Sequence, residues 1–71
     1  MQDIELQRLG QRIKSIRKQR KLTLSAVCYK VGIEPSTLSR IENGEVEPKY
    51  LTLLKIATSF NMTLSELVKS D

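Results

Sequence analysis

Pro35, Ser36, Thr37, Ser39 and Arg40 bring one rigid ring, three short hydroxyls and one forked guanidinium into a single short stretch. Hydroxyls bond to several base edges with little selectivity. A guanidinium matches guanine O6 and N7 with two parallel bonds, and a proline ring can pack on a thymine methyl. Carried on the free side of a helix, this combination predicts contact with nucleobase edges in a major groove. Arg40 has one competing use, as a clamp on a backbone phosphate. Thr37 suits a phosphate bond or a local cap.

An edge of this kind works only on a helix held rigidly from behind, and the flanking residues supply that support. Val27, Cys28 and Val31 are the apolar positions of a helix of about two turns, and Gly32 breaks it where a positive φ is free of steric cost. Ile33, Leu38 and Ile41 continue the apolar pattern into a second helix set at an angle to the first. Thr23 is a good N-cap, with Leu22 and Val27 as a hydrophobic staple across it. Pro35 fits a first helical turn, although Glu34 is a less usual cap. Asn43-Gly44 ends the helix in residues that tolerate a left-handed backbone.

The rest of the chain also reads as helical, giving an all-α fold of five helices within a single domain over residues 1–71. Their spans are about 4–20, 24–31, 35–42, 48–60 and 64–69 by apolar period and capping signals. Leu6, Leu9, Ile13 and Ile16 stripe the first helix. Acids at its start and bases at its end complement the helix dipole. Pro48 is expected to open the fourth helix, with Tyr50, Leu53, Leu54, Ala57 and Phe60 inward and Ile56 widening the stripe. Asn61 turns the chain. Thr63 and Glu66 then take the reciprocal positions of a capping box, and Met62 can pack on Leu67.

A chain of 71 residues hides only about 60% of its unfolded surface, so its core must be compact. One cysteine and no histidine rule out an internal disulfide and the usual zinc ligand sets. Neither a phosphate-cradling glycine loop nor an evident carboxylate pair is present, so catalysis is not expected, and neither is a cofactor. No signal peptide and no bilayer-spanning apolar run are visible, which predicts a cytoplasmic protein without membrane contact. Cys28 reads as a core filler rather than a redox switch. The net charge is +4. Arg8, Arg12, Lys14, Arg17, Lys18, Arg20 and Lys21 crowd the first third, while Glu42, Glu45 and Glu47 cluster later. The basic run suits a phosphate-contacting face or an ordinary solvated helix surface, and charge alone does not separate these.

From about Leu9 to Val68 the chain resembles the Cro and phage-repressor type of helix-turn-helix domain, the xenobiotic-response-element family. The likeness rests on the small residue at Cys28, Gly32 at the turn, and apolar Val27, Val31, Ile33, Leu38 and Ile41. It extends through residues 38–44, Pro48, the LLKIA run at 53–57 and MTLSEL at 62–67. It implies a lambda-repressor-like five-helix fold and binding of double-stranded DNA, usually as a homodimer on a palindromic operator. Carried over position by position, it implies base readout by Pro35, Ser36, Ser39 and Arg40. Arg17 and Glu42 match a largely desolvated ion pair; the alternative is an exposed pair of little consequence. Arg17, Lys14, Lys18, Thr37 and Asn43 are expected at backbone phosphates. Met62, Leu64 and Val68 are expected to include part of a dimer contact.

Two departures limit the carry-over. Leu24 stands where the family often has a phosphate-binding glutamine, leaving Thr23, Ser25 and backbone N–H groups for that contact. The loop after the recognition helix is often basic, but here it is Glu45-Val46-Glu47, which would repel a phosphate backbone. It either stands clear of DNA or meets a protein, such as an RNA polymerase subunit. The leading expectation is therefore a sequence-specific, dimeric transcription regulator. The alternative is an antitoxin or adaptor whose main partner is another protein.

Overall fold

The computed structural model describes residues 3–69, which contain five helices and no strand. These are α1 (Ile4–Gln19), α2 (Leu24–Val31), α3 (Pro35–Glu42), α4 (Tyr50–Ser59) and α5 (Leu64–Val68). Capping chemistry sets several of their starts. The Asp3 carboxylate accepts from the Glu5 N–H at 2.8 Å, and the Thr23 hydroxyl accepts from the Ala26 N–H at 3.0 Å. Before α5, the Thr63 hydroxyl accepts from the Glu66 N–H at 3.1 Å, while the Glu66 carboxylate accepts from the Thr63 N–H at 2.9 Å. The backbone N–H of Thr63, then its hydroxyl, holds that carboxylate below its ordinary pKa.

One corner recurs three times. In each case the residue two past the helix's capping residue bonds back to a carbonyl five positions earlier: Leu22 to Arg17, Glu45 to Arg40, and Met62 to Ala57. The residue between adopts positive φ, and Lys21 (57°), Gly44 (72°) and Asn61 (59°) fill that place. This is the Schellman closure, which satisfies orphan carbonyls and turns the chain sharply. Gly32 (83°) ends α2 in the left-handed region as well.

The core collects Ile13 and Ile16 of α1, Val27, Cys28 and Val31 of α2, and Leu38 and Ile41 of α3. Ile56 and Ala57 of α4, Phe60 and Leu67 complete it. Leu9, Leu22, Ile33, Val46, Leu53, Met62 and Leu64 pack around this group. Burial, followed by the Glu42 carboxylate, pushes the Cys28 thiol above its ordinary pKa, as suits a protonated core side chain.

Helix α4 departs from the sequence expectation at its start. Lys49 is its N-cap, with an extended backbone (φ −70°, ψ 155°), and its carbonyl accepts the first helical bond, from Leu53. Pro48 therefore stands outside the helix rather than opening it. Val46 is anchored on the core, and the chain runs on from it without helical structure through Lys49. Tyr50 is consequently 64% exposed in the first turn, not part of the inner stripe, while Ile56 is fully buried at its centre. The other ends move by one residue. Arg20 caps α1, Phe60 caps α4, and Lys69 is already extended after α5.

Gly10 has no counterpart in the sequence expectation. A Cβ there would lie 2.4 Å from the Ile41 carbonyl oxygen and 2.5 Å from that of Glu42. Its absence lets α1 cross directly against the C-terminal backbone of α3. Gly44 adds a second close approach, since a Cβ there would sit 2.9 Å from the Gln7 Cα. The back of α3 is thus seated on α1 at backbone distance.

Candidate nucleic-acid interface

Helix α3 divides its residues between two sides. Leu38, Ile41 and Glu42, related by three- and four-residue steps, face inward and are buried. Pro35 and Ser39, and likewise Ser36 and Arg40, stand one turn apart on the other side. Pro35, Ser36 and Arg40 are exposed and Ser39 is half-buried. The four residues expected at base edges thus share an outer edge that the protein's own interior does not cover. Thr37 is half-buried between the two sides.

The buried side carries a charge pair. Arg17 Nε donates to the Glu42 carboxylate at 2.7 Å and Nη2 donates at 3.2 Å, a bidentate arrangement. Nη1 donates to the Leu22 carbonyl at 2.8 Å. The two side chains are only 10% and 4% exposed. All three guanidinium nitrogens therefore donate within the protein. The geometry is that of a desolvated structural pair rather than an exposed one, with little of Arg17 left to face a phosphate. Because the pair joins the end of α1 to the end of α3, it fixes the tilt of the outer edge.

Two more arginines from the basic stretch are also tied to the protein. Arg12 donates from Nε to the Leu67 carbonyl at 3.2 Å and from Nη2 to the Glu66 carbonyl at 3.0 Å. Arg20 donates to the Phe60 carbonyl, with its guanidinium carbon 5.9 Å from that ring's centre. Sequence reasoning left these residues in a basic run that faced either phosphate or solvent, and it missed their role as helix-end caps. The choice of arginine over lysine was the available signal, since its planar fork suits fixed carbonyl arrays. The remaining bases of the stretch are Arg8, Lys18 and Lys21, all exposed, and Lys14, half-buried.

The other expected phosphate contacts lie on three elements. Thr23 and Ser25 are exposed at the start of α2, Lys14 and Lys18 stand one turn apart on α1, and Asn43 is exposed just past α3. Thr23 already accepts a capping bond, which leaves its hydroxyl hydrogen free to donate. Glu45 and Glu47 are exposed on either side of the half-buried Val46. Of the three residues expected near a dimer contact, Met62 and Leu64 pack against the chain's own core, while Val68 is 47% exposed. Among the described residues no cluster suits a metal ion, and no helix is long and apolar enough to cross a membrane.

With this geometry in view, the chain belongs to the helix-turn-helix family, whose profile matches residues 13–67. The immunity repressor protein of Bacillus phage phi105 is 38% identical over 63 residues, covering 89% of this chain and 44% of that protein. The HTH-type transcriptional regulator SutR of Escherichia coli is 35% identical over 60 residues, covering 84% of this chain and 34% of its own length. The chain thus spans less than half of either regulator.

Solved structures share the fold over about nine tenths of the chain. The restriction-modification controller protein C.AhdI from Aeromonas hydrophila superposes with a TM-score of 0.89 at 25% identity, covering 92% of this chain and 98% of that one. The P22 c2 repressor, solved in complex with a synthetic operator, gives 0.80 at 30% identity, covering 89% and 96%. The fold is that of lambda- and 434-type repressor DNA-binding domains.

Proposed function

We propose that this chain is a sequence-specific DNA-binding transcription regulator without catalytic activity. It would work as a homodimer on a palindromic operator, with α3 in the major groove. The observation that carries this reading is the outer edge of α3. Ser36 and Arg40 stand in solvent on a helix whose opposite side is seated on α1 at backbone distance. Arg40 has no hydrogen bond or ion pair among the described residues, so its fork is free for a guanine. Pro35, Ser36 and Ser39 add shape and hydroxyl contacts along the same edge.

Lys14, Lys18, Thr23, Ser25, Thr37 and Asn43 are the groups proposed for backbone phosphates, which fix position without reading sequence. Arg17 acts in this reading through Glu42, by holding α3 in place. Val68 is the exposed member of the proposed dimer contact, with Met62 and Leu64 supporting it from the core. A two-fold pair would present its α3 helices roughly 34 Å apart, one turn of the duplex. The P22 c2 repressor complexed with operator and SinR complexed with DNA, both similar folds, support the DNA assignment.

Selection of bound duplexes from a random pool at physiological salt tests the proposal. The expected product is a two-fold motif whose half-sites recur at one helical turn. Recovery of no preferred sequence would reject sequence-specific binding, and a single unrepeated half-site would reject the dimer.

A further inference from the structure

We propose that Glu34 is a specificity residue that reads a cytosine beside the bases contacted by α3. The inference rests on the DNA-binding reading above and adds to it a residue with chemistry opposite to the rest of that face. Glu34 is the N-cap of α3, with an extended backbone (φ −74°, ψ 145°), yet its side chain makes no capping bond. Its carbonyl performs the local work by accepting from Thr37 at 3.0 Å and Leu38 at 3.2 Å. The carboxylate itself is exposed and has no hydrogen bond or ion pair among the described residues.

That arrangement leaves an unpartnered negative charge next to Pro35 and Ser36, at the end of the helix that leads into the groove. Phosphate oxygens repel it, and so do the O6, N7 and O4 acceptors on the groove floor. The donors available there are the exocyclic amino groups of cytosine N4 and adenine N6. Adenine sets its N7 acceptor beside that amino group, against the second carboxylate oxygen. Cytosine offers its amino group without an adjoining acceptor of its own. A carboxylate at this point therefore favours cytosine and penalises the other bases.

Arg40 lies six residues further on, about 9 Å along the helix axis. That is far less than the roughly 34 Å between the two half-sites of a dimer's operator. A cytosine contacted by Glu34 and a guanine contacted by Arg40 would therefore fall within one half-site. The two residues make a charge-reversed pair of readers on one helix.

The test compares duplexes selected by the wild-type chain with those selected by Glu34→Ala and Glu34→Gln. Circular-dichroism melts should show equal folding, since the side chain caps nothing. The wild type should select a fixed cytosine in each half-site, preferred about tenfold over the other bases. Glu34→Ala should lose that preference, keep the guanine assigned to Arg40, and bind random duplex more tightly because a repelling charge is gone. Glu34→Gln should move the preference to adenine, whose N6 and N7 match an amide. A motif unchanged in both variants, with only a uniform rise in affinity, would overturn the inference and leave the DNA-binding reading intact. A wild-type chain that selects no sequence would remove both.

Discussion

Leu38, Ile41 and Glu42, on the inner side of α3, are 4% exposed or less, whereas Pro35, Ser36 and Arg40 on its outer edge stand in solvent. Two arginines express the same contrast. Arg17 reaches the inner side and has all three nitrogens donating to protein acceptors. Arg40, on the outer edge, has none so engaged. The difference shows how one short helix combines rigidity with an open contact surface. Its charged and apolar inner groups are fully matched within the chain, so the outer groups need not be.

The largest way to break this contrast is from within. Arg17→Ala strands the Glu42 carboxylate and should cost about 3–5 kcal/mol of stability, read by urea denaturation. The double change Arg17→Met with Glu42→Leu removes both charges and should recover most of that loss. If the single and double variants were equally destabilised, a stranded charge would not be the cause.

Gly10→Ala attacks the same side by overpacking, because its Cβ meets backbone rather than a flexible side chain. A loss of about 3 kcal/mol is expected, at the upper end for such insertions, together with a shift of α3 resonances in NMR spectra. On the outer edge the expectation reverses. Arg40→Ala should leave the denaturation midpoint unchanged and weaken the selected operator by about 1–3 kcal/mol in titrations, with far less effect on random duplex.

The smallest change sharpens the comparison at the corners. Gly44 closes α3 without steric cost, whereas Lys21 closes α1 with a side chain at φ 57°. Lys21→Gly should relieve left-handed strain of about 1 kcal/mol, less what the freer unfolded chain regains. The net expectation is a slightly raised melting temperature, whereas Gly44→Ala should lower it.

Elements with a strong local signal were legible in the sequence. The bounds of α2 and α3 follow from Thr23, Gly32, Pro35 and Asn43-Gly44, and the Thr63–Glu66 box formed as its spacing predicts. The start of α4 was misplaced because proline favours a first turn, while the extended approach there follows a tertiary anchor, Val46. Arg12, Arg20 and Gly10 escaped for a related reason. Their partners lie about 55, 40 and 31 residues away, beyond any periodic or capping pattern. The outer edge of α3 was legible because exposure there follows from the apolar positions beside it. The free carboxylate of Glu34 was not, since an N-cap glutamate reads first as an imperfect cap.

The long reach of the α1 arginines bears on how the chain assembles during synthesis, when folding proceeds from the N-terminal side. As residues leave the ribosome, Arg17 can be matched once Glu42 emerges, Arg20 once Phe60 does, and Arg12 only after Leu67. The opening helix would thus be fastened in three successive latches. The one that sets the pose of α3 closes first, before α5 exists.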